Sequence, residues 1–185
     1  MSDDSLLYFD TGVLLNILAT ERAMEILQAI PYRCAITEDL RNKSSLLSSN
    51  ILVKMKESEE QSQTVMANSA LRYINIHKCN RFSHGVTFVN FARCVPEEKA
   101  SLLTLVITNN AFLASDDLRT RNVLFEYFPN SSVISTLNIL HEWEKRCHVS
   151  SKEMQNIALI VQENAQFTPL DSDPLLPWWK SIIGD

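Results

Sequence analysis

Two places in this sequence gather carboxylates where chemistry can use them. Asp10 closes the apolar run Leu6-Leu7-Tyr8-Phe9, and the pair Asp116-Asp117 follows Ala111-Phe112-Leu113-Ala114 after a single serine. If both runs are central strands of one parallel sheet, these acids converge at its carboxyl edge, where open α/β sheets bind their ligands. Converging carboxylates repel one another unless a cation or a proton lies between them. Oxygen donors of this kind suit Mg²⁺ or Mn²⁺. Such an ion activates water and stabilises the charge that develops on a phosphodiester. Asp10 and Asp116 are therefore candidate metal ligands, with Asp117 as a candidate partner in catalysis. Each acid also has a purely structural use. Asp10 can cap a helix that starts near Gly12, and Asp116 can cap one that starts near Leu118.

Other chemistries are a poor match to the same residues. A phosphotransferase of the haloacid dehalogenase type needs a second Asp two positions after the first, where this chain has Gly12. A receiver domain needs its acidic pair after the first strand, whereas this pair follows the fourth. Neither glycine-rich phosphate-binding signature occurs. Arg119 and Arg121, next to the acidic turn, are candidate phosphate contacts and equally candidate partners for Asp116, Asp117 or Glu126. His84, between Ser83 and Gly85, stands in a loop context where a general base is conceivable and a solvated histidine is the ordinary outcome.

The elements that position these groups can be read from the hydrophobic pattern. Short apolar runs alternate with helical periodicity, as a parallel sheet with crossover helices requires. Strands are expected at 6–9, 33–36, 73–76, 111–114 and 132–135. Helices are expected after Asp10, after the N-cap Thr37, and over 85–94, 97–108 and 118–128. A further helix runs from about 136 to Lys145, and Ser150 with Glu153 forms a capping box for another. Residues 48–68, rich in Ser, Glu, Gln and Lys, read as an exposed helix or loop excursion. The expected fold is a three-layer α/β/α domain with a central parallel sheet of about five strands, over residues 1–148. Residues 149–185 add a helix and a tail whose Trp178-Trp179 pair packs on that domain or lines an interface.

Composition agrees with an ordinary globular domain. The chain has 185 residues, 45% hydrophobic and 21% charged, and only three glycines, too few for a turn-rich all-β fold. No apolar run is long enough to span a membrane, and the acidic start Met1-Ser2-Asp3-Asp4 is unlike a signal peptide. A cytoplasmic protein with no membrane partner is expected. The four cysteines lack paired spacing and read as reduced thiols rather than a zinc site. The net charge of −5 decides little, because a site metal can supply local positive charge.

Several segments together resemble the PIN-like domain family. Leu7-Tyr8-Phe9-Asp10-Thr11-Gly12-Val13-Leu14-Leu15 resembles its opening strand and first acid. Glu97-Glu98-Lys99-Ala100-Ser101-Leu102-Leu103 resembles its central helix. Phe112-Leu113-Ala114-Ser115-Asp116-Asp117-Leu118-Arg119-Thr120-Arg121 resembles its strand and acidic turn. Ser135-Thr136-Leu137-Asn138-Ile139-Leu140, with Glu144-Lys145-Arg146, resembles the terminal helix of a VapC-like toxin branch. The likeness covers most of residues 6–148. It implies a Mg²⁺- or Mn²⁺-dependent endoribonuclease of toxin type, with RNA as substrate and a small antitoxin, another protein or a second copy of the chain as partner.

Within that likeness Asp10 matches the first acid, and Asp116, with Asp117, the acid after the fourth strand. The middle of the pattern departs. The acid of the helix after the second strand falls near Asn42 or Lys43, with Glu38 the alternative a turn earlier. The central-helix acid falls at or near Lys99, leaving Glu98 as the neighbouring candidate. A shift of one or two positions turns a helical side chain by about 100° to 200°. A lysine at such a position can replace part of a metal's charge. The resemblance therefore also allows a catalytically inactive binding module that works within a protein assembly.

Overall fold

The computed structural model describes residues 5–42, 70 and 72–184. Five parallel strands form one sheet: β1 (Leu6–Phe9), β2 (Arg33–Thr37), β3 (Asn75–His77), β4 (Phe112–Ala114) and β5 (Val133–Ile134), in the order β3-β2-β1-β4-β5. The described helices are α1 (Thr11–Ala19), α2 (Ala23–Ala29), α3 (Gly85–Ala92), α4 (Glu97–Thr108), α5 (Leu118–Tyr127), α6 (Thr136–Cys147), α7 (Ser151–Ala165) and α8 (Leu176–Ile183). Residues 38–42 are helical as well. The expected three-layer α/β/α architecture is what the chain adopts. The excursion read over 48–68 lies outside the described residues.

The period-2 alternation of the strands sorts the side chains into two cores. Leu7 and Phe9 of β1 join Ile36 of β2 and Ala114 of β4 under α1, α2, α6 and α7. Tyr8, between them, faces the other way and packs with Ala35, Leu113 and the apolar side of α4. β1 pairs with β2 on one side and β4 on the other, so Tyr8 is level with Ala35 and Leu113. Burial on both faces explains why β1 reads as a continuous apolar run rather than an alternating one.

The C-terminal residues belong to the first core. Met154, Ile157 and Val161 of α7 are buried with Trp143 of α6, and Trp179 of α8 is buried in the same cluster. Trp178 is only partly covered. Its indole donates to Glu144 at 3.0 Å, and its ring lies against His141. Of the two uses weighed for the tryptophan pair, tail anchoring is the one Trp179 serves.

The caps differ in detail from those expected. Ser135 forms a reciprocal capping box with Asn138 at the start of α6. Ser150 accepts from the Glu153 amide at 3.3 Å, but the Glu153 carboxylate pairs with Arg22 at 3.1 Å. With so few glycines, α6 and α7 end on left-handed His148 and Gln166, at φ 52° and 54°. Among the described residues, no helix is long and apolar enough to cross a membrane.

Candidate functional site

Because β1 and β4 are neighbours, the residues that follow them meet at the carboxyl edge of the sheet. The Asp10 amide donates to the Ala114 carbonyl at 2.8 Å, which locks the two strand ends together. Asp10 occupies the N-cap position of α1 but makes no side-chain cap bond. Its carboxylate, 2% exposed as a residue, turns inward. One oxygen accepts from the Lys99 ammonium, and the other accepts from the Ser115 hydroxyl at 2.8 Å. Lys99 reaches this point from the first turn of α4. Its stem is covered, so that only 17% of the side chain is exposed.

The adjacent pair divides its labour. Asp117, rather than Asp116, caps α5: it accepts from the Arg119 amide at 3.0 Å and the Thr120 hydroxyl at 2.7 Å. The Lys99 ammonium stands 4.0 Å away. Partial burial raises the Asp117 carboxyl, but the Thr120 and Arg119 hydrogen bonds and Lys99 together outweigh it and hold the group below the ordinary carboxylate range. Asp116 instead reaches across to the start of α6. Oδ1 accepts from the Thr136 amide at 3.0 Å. Oδ2 accepts from the Thr136 hydroxyl at 2.5 Å and from Asn16 at 3.2 Å. Burial pushes this carboxyl up, against the Thr136 hydrogen bonds and the Arg121 charge. The reading of Asp116 as the cap of the helix near Leu118 is thus corrected by one residue. The amide that needs capping there is in reach of Asp117, while the strand end aims Asp116 at Thr136.

The arginines bond to the chain itself, Arg119 at the surface and Arg121 largely covered. Arg119 donates to the Cys94 carbonyl at 2.6 Å. Arg121 donates through Nε to the Ser115 carbonyl at 2.6 Å and lies 3.6 Å from Asp116. Of the two alternative acids, Glu38 pairs with Lys78 at 3.6 Å. Glu98 lines a small cavity of about 10 Å³ together with Asp10, Thr37 and Lys99, room for about one water. Asn42 is exposed, and Lys43 lies outside the described residues.

The Lys99 ammonium therefore joins Asp10 and lies near Asp117, Glu98 lines the small cavity beside Asp10, and Asp116 turns to a different set of partners. A divalent ion needs several oxygen donors free to turn toward it. Both Asp10 oxygens are engaged by an ammonium and a hydroxyl, and both Asp116 oxygens by Thr136 with Arg121 beside them. As it stands this donor set does not fit Mg²⁺ or Mn²⁺. Among the described residues, no three His, Cys, Asp or Glu side chains are grouped as a metal site would group them.

Ser115 serves Asp10, and Thr136 and Asn16 serve Asp116. Their only sequence signal is polarity at buried positions, just past β4 and β5 for Ser115 and Thr136 and within α1 for Asn16. No protein-family model matches the chain, and no curated protein or solved structure matches it.

Proposed function

We propose that this chain is a PIN-like module that acts by binding within a protein assembly, with a lysine ammonium in the place where an active relative would hold its metal. The observation that carries this reading is the pairing of Lys99 with Asp10, with Asp117 at 4.0 Å from the same ammonium. Buried carboxylates need a counter-charge. In a nuclease of this type that charge is a mobile ion that also activates water. Here the chain supplies it from its own helix, as a fixed monovalent group that cannot deliver a nucleophile. The same cluster then serves as a keystone joining β1, β4 and α4.

The test is hydrolysis itself. A mixture of unstructured and folded RNAs is incubated with the purified protein and Mn²⁺, and the products are compared with those of Asp116→Asn. The expected result is no cleavage above background for either protein. Mn²⁺-dependent cleavage that disappears in Asp116→Asn would overturn the binding-module reading.

That outcome would support the second reading, a toxin-type endoribonuclease with a small antitoxin partner. One observation favours it: Glu98 lines the same small cavity as Asp10. On that reading Lys99 leaves Asp10, and Asp10 and Asp116 hold the ion with Asp117 and Glu98 assisting.

A further inference from the structure

Beside the strand β3, an open cleft of about 430 Å³ lies against the second half of α4. It falls within the roughly 300–1,000 Å³ usual for small-molecule sites. Its polar lining comes from the end of β3, from the turn before α3, and from the end of α4: His77, Lys78, His84, Thr108 and Asn109. Leu105 contributes an apolar wall.

A part-buried chain of hydrogen bonds anchored on Tyr8 ties this lining together. Tyr8 is fully buried and lies on the same sheet face as Ala35 and Asn75, which are level with it across the strands. The small Ala35 side chain leaves room for the Tyr8 ring to reach over β2 toward β3. There the Tyr8 hydroxyl meets His77 Nδ1 at 2.5 Å, ring edge to ring face. Asn109 donates to the same hydroxyl at 3.1 Å and to the Leu105 carbonyl at 2.9 Å. Burial pushes the Tyr8 phenol up to about 12, so it remains a donor. Since Asn109 is already donating to Tyr8, the phenol proton goes to His77 Nδ1. A neutral imidazole that accepts at Nδ1 carries its proton on Nε2.

The directions of these bonds define what the cleft offers. The His77 Nε2–H is a fixed donor, and Lys78 supplies an ammonium, 80% exposed and 3.6 Å from Glu38. His84 adds a second imidazole. Thr108 gives its proton to the Thr104 carbonyl at 2.9 Å, and Asn109 gives its amide protons to Tyr8 and Leu105, so both retain acceptor oxygens. Donors and positive charge are thus gathered near the end of β3, and acceptors at the end of α4. The cleft is larger than a lone oxyanion needs.

We infer that this cleft binds a small phosphorylated, hydroxyl-bearing molecule, with its phosphoryl group on His77, Lys78 and His84 and a hydroxyl on Asn109 or Thr108. The site shares no polar residue with the Asp10 cluster and does not depend on how that cluster is read.

The test is calorimetry with ribose 5-phosphate, inorganic phosphate and ribose as probes, alongside imidazole ¹⁵N NMR of the wild type. Ribose 5-phosphate is expected to bind saturably and to shift the His77 and His84 ring signals, with free His77 in its Nε2–H form. Lys78→Ala and Tyr8→Phe are each expected to weaken binding about tenfold, the order of one charge-assisted or preorganised hydrogen bond. Ribose is expected not to bind. Lys78 is exposed, so its variant folds whatever becomes of Tyr8→Phe. The inference is overturned if neither phosphate shifts the ring signals, if Lys78→Ala leaves the affinity unchanged, or if ribose binds as tightly as its phosphate.

Discussion

The Asp10 cluster and the His77 cleft draw on opposite ends of α4, Lys99 in its first turn and Thr108 and Asn109 at its end, and are built on opposite plans. Both Asp10 carboxylate oxygens have partners from the chain itself, and the space beside them is about 10 Å³. Around His77 the buried Tyr8 hydroxyl ties His77 to Asn109 from behind, and the lining groups border about 430 Å³. Filling a polar site with internal partners makes it a structural joint. Satisfying only its rear side makes it a binding surface. The acids at the strand ends do meet in the first region, where Lys99 and Ser115 occupy the Asp10 carboxylate.

The largest expected effect tests the first region's role as a joint. Lys99→Met removes the charge while keeping most of the stem and leaves Asp10 buried without its cation. Breaking such a pair from one side costs about 3 kcal/mol or more, to be measured by chemical denaturation at neutral pH. The double variant Lys99→Met/Asp10→Asn is expected to recover much of that loss, since no unpaired charge remains. Lys78→Ala, in the cleft, is expected to stay within about 0.5 kcal/mol of wild type. Equal costs for Lys99→Met and Lys78→Ala would erase the distinction between joint and surface.

A smaller effect divides the cluster within itself. The Asp117 carboxyl is lowered from 3.8, so its contribution is fully present above that value and is lost as pH falls through the folded one. The stability deficit of Asp117→Asn should therefore shrink on acidification. The Asp116 carboxyl is raised from 3.8. Its contribution is fully present below the unfolded value and is lost as pH rises through the folded one. The deficit of Asp116→Asn should accordingly grow as pH falls. Denaturation midpoints followed from neutral pH through the carboxylate range check both signs. Parallel trends would mean that the two acids share one environment.

Much of the fold was legible because strands buried on both faces announce themselves as apolar runs. The run at 6–9 is β1 as read. The run at 73–76 slid to Asn75–His77, where β3 pairs, among the described residues, with β2 alone. Asp10 and Asp117 were legible as acids at strand ends, and the neighbouring placement of β1 and β4 brings them together. What each carboxylate does was not legible. Asp116 and Asp117 are adjacent, yet one caps α5 and the other holds the start of α6, a division set by the direction of the chain at the strand end. Lys99 could be read as a substitute charge, but its contact with Asp10 depends on how α4 crosses the sheet. The His77 cleft had no sequence signal beyond His84, because the Tyr8–His77 contact rests on the small size of Ala35 between them.

The account rests on Lys99 standing in for the ion, and calorimetric titration of the wild-type protein with Mn²⁺, beside Asp10→Asn, tests it most directly. The account predicts no saturable binding to the wild type, with heats indistinguishable from those of the variant. Saturable binding of a single Mn²⁺ by the wild type, lost in Asp10→Asn, would contradict it.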